Sequence, residues 1–254
     1  MGTQSNLRAS LFITCLVDQL TPQVGESMVK VLRRLGVEVD FPRDQTCCGQ
    51  PAFNSGFRRE ASTLAKRFIS IFQNSDYIVA PSGSCTSMVK VFYPELFKKE
   101  PRLREEAEAL SSRVYEFSEF LVKVLGVEDV GAEYRGRVTY HDSCHLLREL
   151  GVESEPRRLI KAVKGVEFVE LERSDQCCGF GGTFSVKYSD ISGAILQDKI
   201  DNIRSSSAEV MIANDTGCLM HIAGGLSRQG IPMKTMHLAE LLAQSRSTGS
   251  QLSS

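Results

Sequence analysis

Apolar positions along the chain fall into two alternating patterns. Leu11 to Val17 is a short apolar run of the kind that suits a buried strand. Thr21-Pro22 then opens a segment with apolar residues at Val24, Met28, Val31, Leu32 and Leu35, which is helical spacing, and Gly36 ends it. Val37 to Phe41 reads as a second strand, and Ala61, Leu64, Phe68 and Phe72 mark a second helix. Tyr77 to Ala80 is a third strand, running into Ser82-Gly83-Ser84-Cys85 and another helix. Pro101 to Ser112 is charged and helical, a surface helix ahead of the last strand of this half.

The second half repeats the order, with strands expected at Val138 to His141, Glu167 to Leu171, Val210 to Ala213 and Met233 to His237. Even the ends agree, since Phe117-Ser118-Glu119-Phe120-Leu121 resembles Leu238-Ala239-Glu240-Leu241-Leu242. Strands alternating with helices of this length predict parallel βαβ units and an α/β fold of two pseudo-symmetric repeated modules. The expected modules are 11–128 and 136–244, with a linker around Asp129 to Gly136 and flexible termini at 1–10 and 245–254.

Composition narrows the function classes. The chain has 254 residues, enough to bury a core without disulfides, and its 42% hydrophobic and 24% charged residues are globular proportions. A net charge of -1 and a pI near 6.5 give no basic field for nucleic acid or an anionic membrane. The first ten residues carry one arginine and no apolar h-region, and no apolar run is long enough for a transmembrane segment. A cytoplasmic location is expected, where ordinary thiols stay reduced. Eight cysteines there point to metal binding or redox chemistry.

The cysteines follow the same repeat. The first half has Cys15, Cys47-Cys48-Gly49 and Ser82-Gly83-Ser84-Cys85; the second has Cys144, Cys177-Cys178-Gly179 and Asp215-Thr216-Gly217-Cys218. Cys47 follows Cys15 by 32 residues and Cys177 follows Cys144 by 33, while Cys85 follows Cys48 by 37 and Cys218 follows Cys178 by 40. Adjacent cysteines cannot close a relaxed disulfide with each other. Loops leaving the carboxyl ends of parallel strands emerge on one edge, so the four cysteines of each module should face a crevice there. Gly49, Gly83, Gly179, Gly181 and Gly217 would let the backbone approach a bound inorganic core closely. Four cysteines can hold zinc as well as iron, but structural zinc sites set their ligands in tight pairs, whereas single cysteines here flank an adjacent pair over long loops. That spacing favours an iron-sulfur cluster and leaves zinc open at one site.

Other polar residues have two readings. His141 and His145 bracket Cys144, and His221 follows Cys218 by about one helical turn; each could ligate metal or simply be hydrogen-bonded beside it. Ser82 and Asp215 could be oxygen ligands, but both residue types cap helices, the better reading here. Arg33-Arg34, Lys98-Lys99 and Arg157-Arg158 read as solvated helix faces. There is no GxGxxG after a strand, no P-loop and no nucleophile elbow.

Four segments carry a resemblance to a known family: Phe12 to Asp18, Cys47 to Gly56, Pro81 to Thr86 and Cys177 to Ser185. On these the chain resembles the CCG cysteine-rich family, in its lactate-utilisation branch, over almost the whole length. The wider family includes the cysteine-rich component of heterodisulfide reductase, whose motif ends in Cys-x-x-Cys and whose five thiolates hold a non-cubane [4Fe-4S] cluster. Ser82 and Asp215 stand here at the first position of that final pair. The resemblance implies a [4Fe-4S]-type cluster and electron transfer in the oxidation of L-lactate to pyruvate. It also implies two partners, a ferredoxin-type iron-sulfur protein and a third protein of the same lactate-utilisation system, so that the chain is a subunit of an oxidoreductase rather than a complete enzyme. Disulfide reduction at the cluster and a zinc-stabilised structural subunit are the alternatives.

Overall fold

A computed structural model describes residues 7–245. Its first sheet contains β1 (Arg8–Leu11), β2 (Glu38–Asp40), β3 (Tyr77–Ala80) and β4 (Val114–Glu116), all parallel, in the order β2-β1-β3-β4. The second contains β5 (Glu133–Tyr140), β6 (Lys164–Phe168), β7 (Val210–Ala213) and β8 (Lys234–His237), again parallel, in the order β6-β5-β7-β8. The two sheets thus have one topology, and the fold is α/β with two repeated modules.

Several boundaries differ from the apolar pattern. Leu11 to Val17 is not one strand: β1 ends at Leu11, and a helix, Cys15–Leu20, begins after the extended Thr14. A short apolar run carries no period that separates a buried strand from the first turn of a buried helix. β1 begins at Arg8, so residues 8–10 belong to the sheet and not to a flexible terminus. β5 takes over the end of the expected linker, because its half-buried start, Glu133 to Arg137, pairs with β6 despite being polar. β6 itself lies a few residues earlier than Glu167 to Leu171. Residues 1–6 and 246–254 of the expected flexible termini lie outside the described residues.

The modules share one apolar core. Helix Pro22–Arg34 starts with proline in its first turn, ends before Gly36 at φ +78°, and buries Val24, Met28, Val31 and Leu32. That stripe packs against Leu238, Leu241 and Leu242 of helix Leu238–Ala243 from the second module. In return, helix Ser154–Ala162 of the second module packs on helix Phe117–Glu119 of the first. Arg34 is exposed, as expected of a helix face, and its guanidinium also donates to the carbonyls of Val130, Leu242 and Ala243, closing the carboxyl end of the opposing helix.

Buried polar links cross the same interface in pairs. Glu116 caps the helix after β4 and accepts a 2.9 Å hydrogen bond from Asn214 Nδ2 at the end of β7. His237 caps the helix after β8, and its Nε2 lies 2.9 Å from the Pro81 carbonyl at the end of β3. Because His237 Nδ1 accepts from Ala239 N–H, Nε2 carries the proton that this carbonyl needs. Burial raises the Glu116 carboxyl to about 7, although Ser118, Glu119 and Asn214 all donate to it.

Candidate metal centre

All eight cysteines line one cavity of about 600 Å³ between the modules. Two separate crevices, one per module, are not what forms. Packing the modules core to core turns both carboxyl-end edges toward each other, so the loops after β1 and β5 and those before the second helices meet. Cys15 and Cys144 open helices Cys15–Leu20 and Cys144–Arg148, and Cys85 and Cys218 lie in the first turns of helices Gly83–Ser87 and Thr216–Arg228. All eight are free thiols.

Each Cys-Cys-Gly loop has the same internal geometry. Gly49 and Gly179 take φ of +86° and +87°, which turns their N–H groups back onto Cys47 Sγ at 3.4 Å and Cys177 Sγ at 3.3 Å. Cys15 Sγ donates to Cys47 Sγ across 3.7 Å. Donation from Cys15 and Cys48 holds the Cys47 thiol well below its ordinary value, and donation from Cys144 and Cys178 does the same to Cys177. The donors Cys15 and Cys144 are pushed up correspondingly. In the second module the Cys218 thiol is lowered as well, by donation from Cys178.

The glycines divide by role. Gly181 and Gly217 line the cavity; Gly49 and Gly179 supply the positive φ. Gly83 acts at the module interface, where a Cβ would stand 2.5 Å from Leu146 Cβ, and Gly217 also leaves space for the Phe180 ring. Ser82 Oγ caps its own helix by accepting from Cys85 N–H at 3.2 Å. Asp215 makes no side-chain bond to its own helix but crosses to the other module, where its Oδ1 accepts from Ser82 Oγ at 2.6 Å, Ser84 Oγ at 2.8 Å and Ser84 N–H at 3.2 Å. Asp215 thus caps the opposite helix.

The surroundings of the two thiol sets differ. In the first module Phe12 meets Phe68 edge to face at 4.8 Å, and the buried Tyr93 hydroxyl donates to the Cys48 carbonyl at 2.8 Å. In the second, His141 stands with Cys178 and Cys218, their ligating atoms all within 4.8 Å of one another. Lys199, wholly buried, donates to the carbonyls of Arg173 and Ser174 at 3.0 and 3.1 Å, and burial lowers its pKa to about 8. Arg157 is not a solvated face residue: it grips buried Asp142 at 2.9 and 2.7 Å and also holds Glu170 and Ser174. Arg158 pairs with Glu128 at the surface, and Lys98 and Lys99 are exposed.

Sequence reasoning did not pick out Lys199 or Asp142. Lys199 had a visible signal, since it interrupts the apolar stripe formed by Leu196, Ile200 and Ile203. The remaining histidines spread over the cavity wall. His145 Nδ1 lies 3.8 Å from Cys144 Sγ, and its Nε2 lies 3.5 Å from Gln50 Nε2 of the other module. His221 Nε2 contacts Ser192 Oγ at 3.3 Å, and burial lowers its pKa.

The cysteine-rich domain model, CCG, matches residues 9–90 and again 138–223, one match per module. The chain belongs to the CCG cysteine-rich domain family. Within it, the chain is 50% identical over 236 residues to Lactate utilization protein A of Bacillus subtilis (strain 168), covering 93% of this chain and 99% of that protein. It is 47% identical over 243 residues to the protein of the same name from Oceanobacillus iheyensis, covering 96% and 99%. In fold alone it is similar to a hypothetical protein from Helicobacter pylori, with a TM-score of 0.63, 10% identity, and 92% of this chain against 48% of that one. For a CCG family member the residues present fit a thiolate-held metal group. Four sulfurs per module converge, two glycine N–H groups point at sulfur, and the buried His141 Nε2 has no oxygen or nitrogen partner.

Proposed function

We propose that the chain is the iron-sulfur electron-transfer subunit of a system that oxidises L-lactate to pyruvate, working with a ferredoxin-type iron-sulfur protein and a further lactate-utilisation protein. The observation that carries this reading is the convergence of eight reduced thiols from two modules on one cavity. The substrate is taken from the names of relatives that match end to end. A bound iron-sulfur cluster of [4Fe-4S] type supplies one-electron transfer, and the chain supplies the environment that makes this useful.

In each module Cys47 or Cys177 would be the first thiolate available to metal, with Cys15, Cys48 and Cys85, or Cys144, Cys178 and Cys218, completing the sulfur set. Gly49 and Gly179 N–H groups stabilise charge on sulfur. Buried Cys48, Cys178 and Cys218 keep that side of the site away from water. The two sulfur sets share one cavity, which supports electron passage between modules without a mobile carrier. No helix among the described residues is long and apolar enough to cross a membrane, and a cytoplasmic setting would keep the thiols reduced.

Anaerobic purification followed by iron, acid-labile sulfide and zinc analysis tests the reading. Iron with sulfide is the expected result, whereas zinc without sulfide defeats it. Growth on lactate of a strain lacking the chain, restored by the parent sequence and not by Cys177→Ser, tests the physiological half.

A further inference from the structure

We propose that His141 is a metal ligand of the second module, bonding through Nε2 beside Cys178 and Cys218, and that the first module binds through sulfur without an equivalent nitrogen. This rests on the chain being a metal-binding electron carrier and adds to it a donor and an asymmetry.

His141 is 1% exposed, and its buried Nε2 has no oxygen or nitrogen partner, the Cys218 thiol being the one group that bonds the ring beside the Ser174 carbonyl. Such an atom is costly unless something binds it. The other ring nitrogen fixes the chemistry. Nδ1 lies 3.3 Å from the Ser174 carbonyl, which can only accept, so Nδ1 carries the hydrogen and Nε2 presents its lone pair. Asp142 N–H and Lys199 Nζ donate to that same carbonyl at 3.1 Å each, so the oxygen that orients the ring is itself held from two further sides.

The first module supplies the contrast. Phe12 N–H bonds the Val79 carbonyl at 3.0 Å as His141 N–H bonds the Ile212 carbonyl at 2.9 Å, which puts the two residues at one place in the repeat. The fold accepts a fully buried phenyl ring there. A histidine at that place is therefore not a packing requirement. It delivers nitrogen toward Cys178 and Cys218 in one module only, although neither module has the wider family's fifth cysteine, Ser82 and Asp215 standing at that position. Both modules offer four thiolates, so the imidazole is a neutral donor added to the second set and not a replaced thiolate.

The test uses the full chain labelled with 15N-histidine and loaded anaerobically with iron and sulfide. Pulsed EPR of the reduced protein should show coupling to a directly bound nitrogen, lost in His141→Phe and in His141→Cys and kept in His145→Phe and His221→Phe. His141→Cys retains a donor if the phenyl variant misfolds, and its second-site potential should fall. A loaded parent chain without nitrogen coupling, or coupling that survives both His141 variants, overturns the assignment and leaves the proposed function standing. A chain that takes up neither iron nor sulfide defeats the proposed function instead. Co(II) then probes the same donor: a ligand-field band shifted in His141→Cys supports the assignment, and an unchanged band or no binding overturns it.

Discussion

The two modules fold their chains alike and line their cysteines differently. Gly49 sits against Ala61 and Leu64, and Gly179 against Ser192 and Ile195, so the second helices superpose in register. Four residues beyond Leu64 is Phe68, and four beyond Ile195 is Lys199. Where the first module packs Phe12 on Phe68, the second has His141 and Lys199 both bonded to one carbonyl. The loop ahead of the first Cys-Cys-Gly is tied by Gln45, which accepts from Ile13 N–H and donates to the Leu11 and Pro42 carbonyls. The matching loop in the second module is tied by Lys199, Asn202 and Arg157. Sulfur geometry depends on backbone, which the repeat keeps; electrostatics depend on the side chains behind it, which have diverged.

The comparison can be broken most severely at the cysteines. Cys47→Ser and Cys177→Ser should each remove the metal of one module, about half of the bound iron and sulfide if both are filled, with visible absorption falling to match. Equal and complete loss from either variant would mean one shared site. Asp142→Ala leaves the Arg157 guanidinium with Glu170 as its one carboxylate, beside Ser174 and the Glu153 carbonyl, and should cost about 3 kcal/mol in urea unfolding. Gln45→Ala, which removes the neutral counterpart, should cost about 1–2 kcal/mol.

Gly179→Ala should be worse than Gly49→Ala. Both pay about 1 kcal/mol for positive φ, but a Cβ at Gly179 would meet Ser192 O at 2.6 Å, against 3.4 Å to Ala61 O at Gly49. Equal unfolding midpoints would contradict that reading. The smallest effect is a pH trend. Lys199 holds its proton up to about 8 in the fold and to 10.5 when unfolded, so its burial penalty is full below pH 8 and is relieved as pH rises toward 10.5. The stability of Lys199→Met relative to the parent should decline over that window, while Phe68→Met shows no such trend.

Much of this was legible in the sequence. The cysteine spacing and the apolar periods suffice for the repeat, the α/β class and most strands, because buried parallel strands such as Tyr77 to Ala80 and Val210 to Ala213 are apolar throughout. Two things were not legible. Leu11 to Val17 hides a strand end and a helix start in one apolar run. The single cavity depends on how Val24, Met28 and Val31 meet Leu238 to Leu242, a long-range packing that no local period encodes. Arg157 and Lys199 were hidden for a related reason: whether a charged residue is solvated depends on which distant carboxylate or carbonyl reaches it.

The contact between Ser82 and Asp215 bears on how such a chain can change. Each stands where the wider family has a thiol, and the Ser82 hydroxyl donates to Asp215 Oδ1 at 2.6 Å in a buried setting, while Asp215 Oδ2 has no hydrogen-bond partner. Cysteine at 82 alone would take a strong donor from that carboxylate, and cysteine at 215 alone would free Ser82 and Ser84 of their acceptor. The two residues are coupled through this contact, so a five-thiol module would need both positions changed at once.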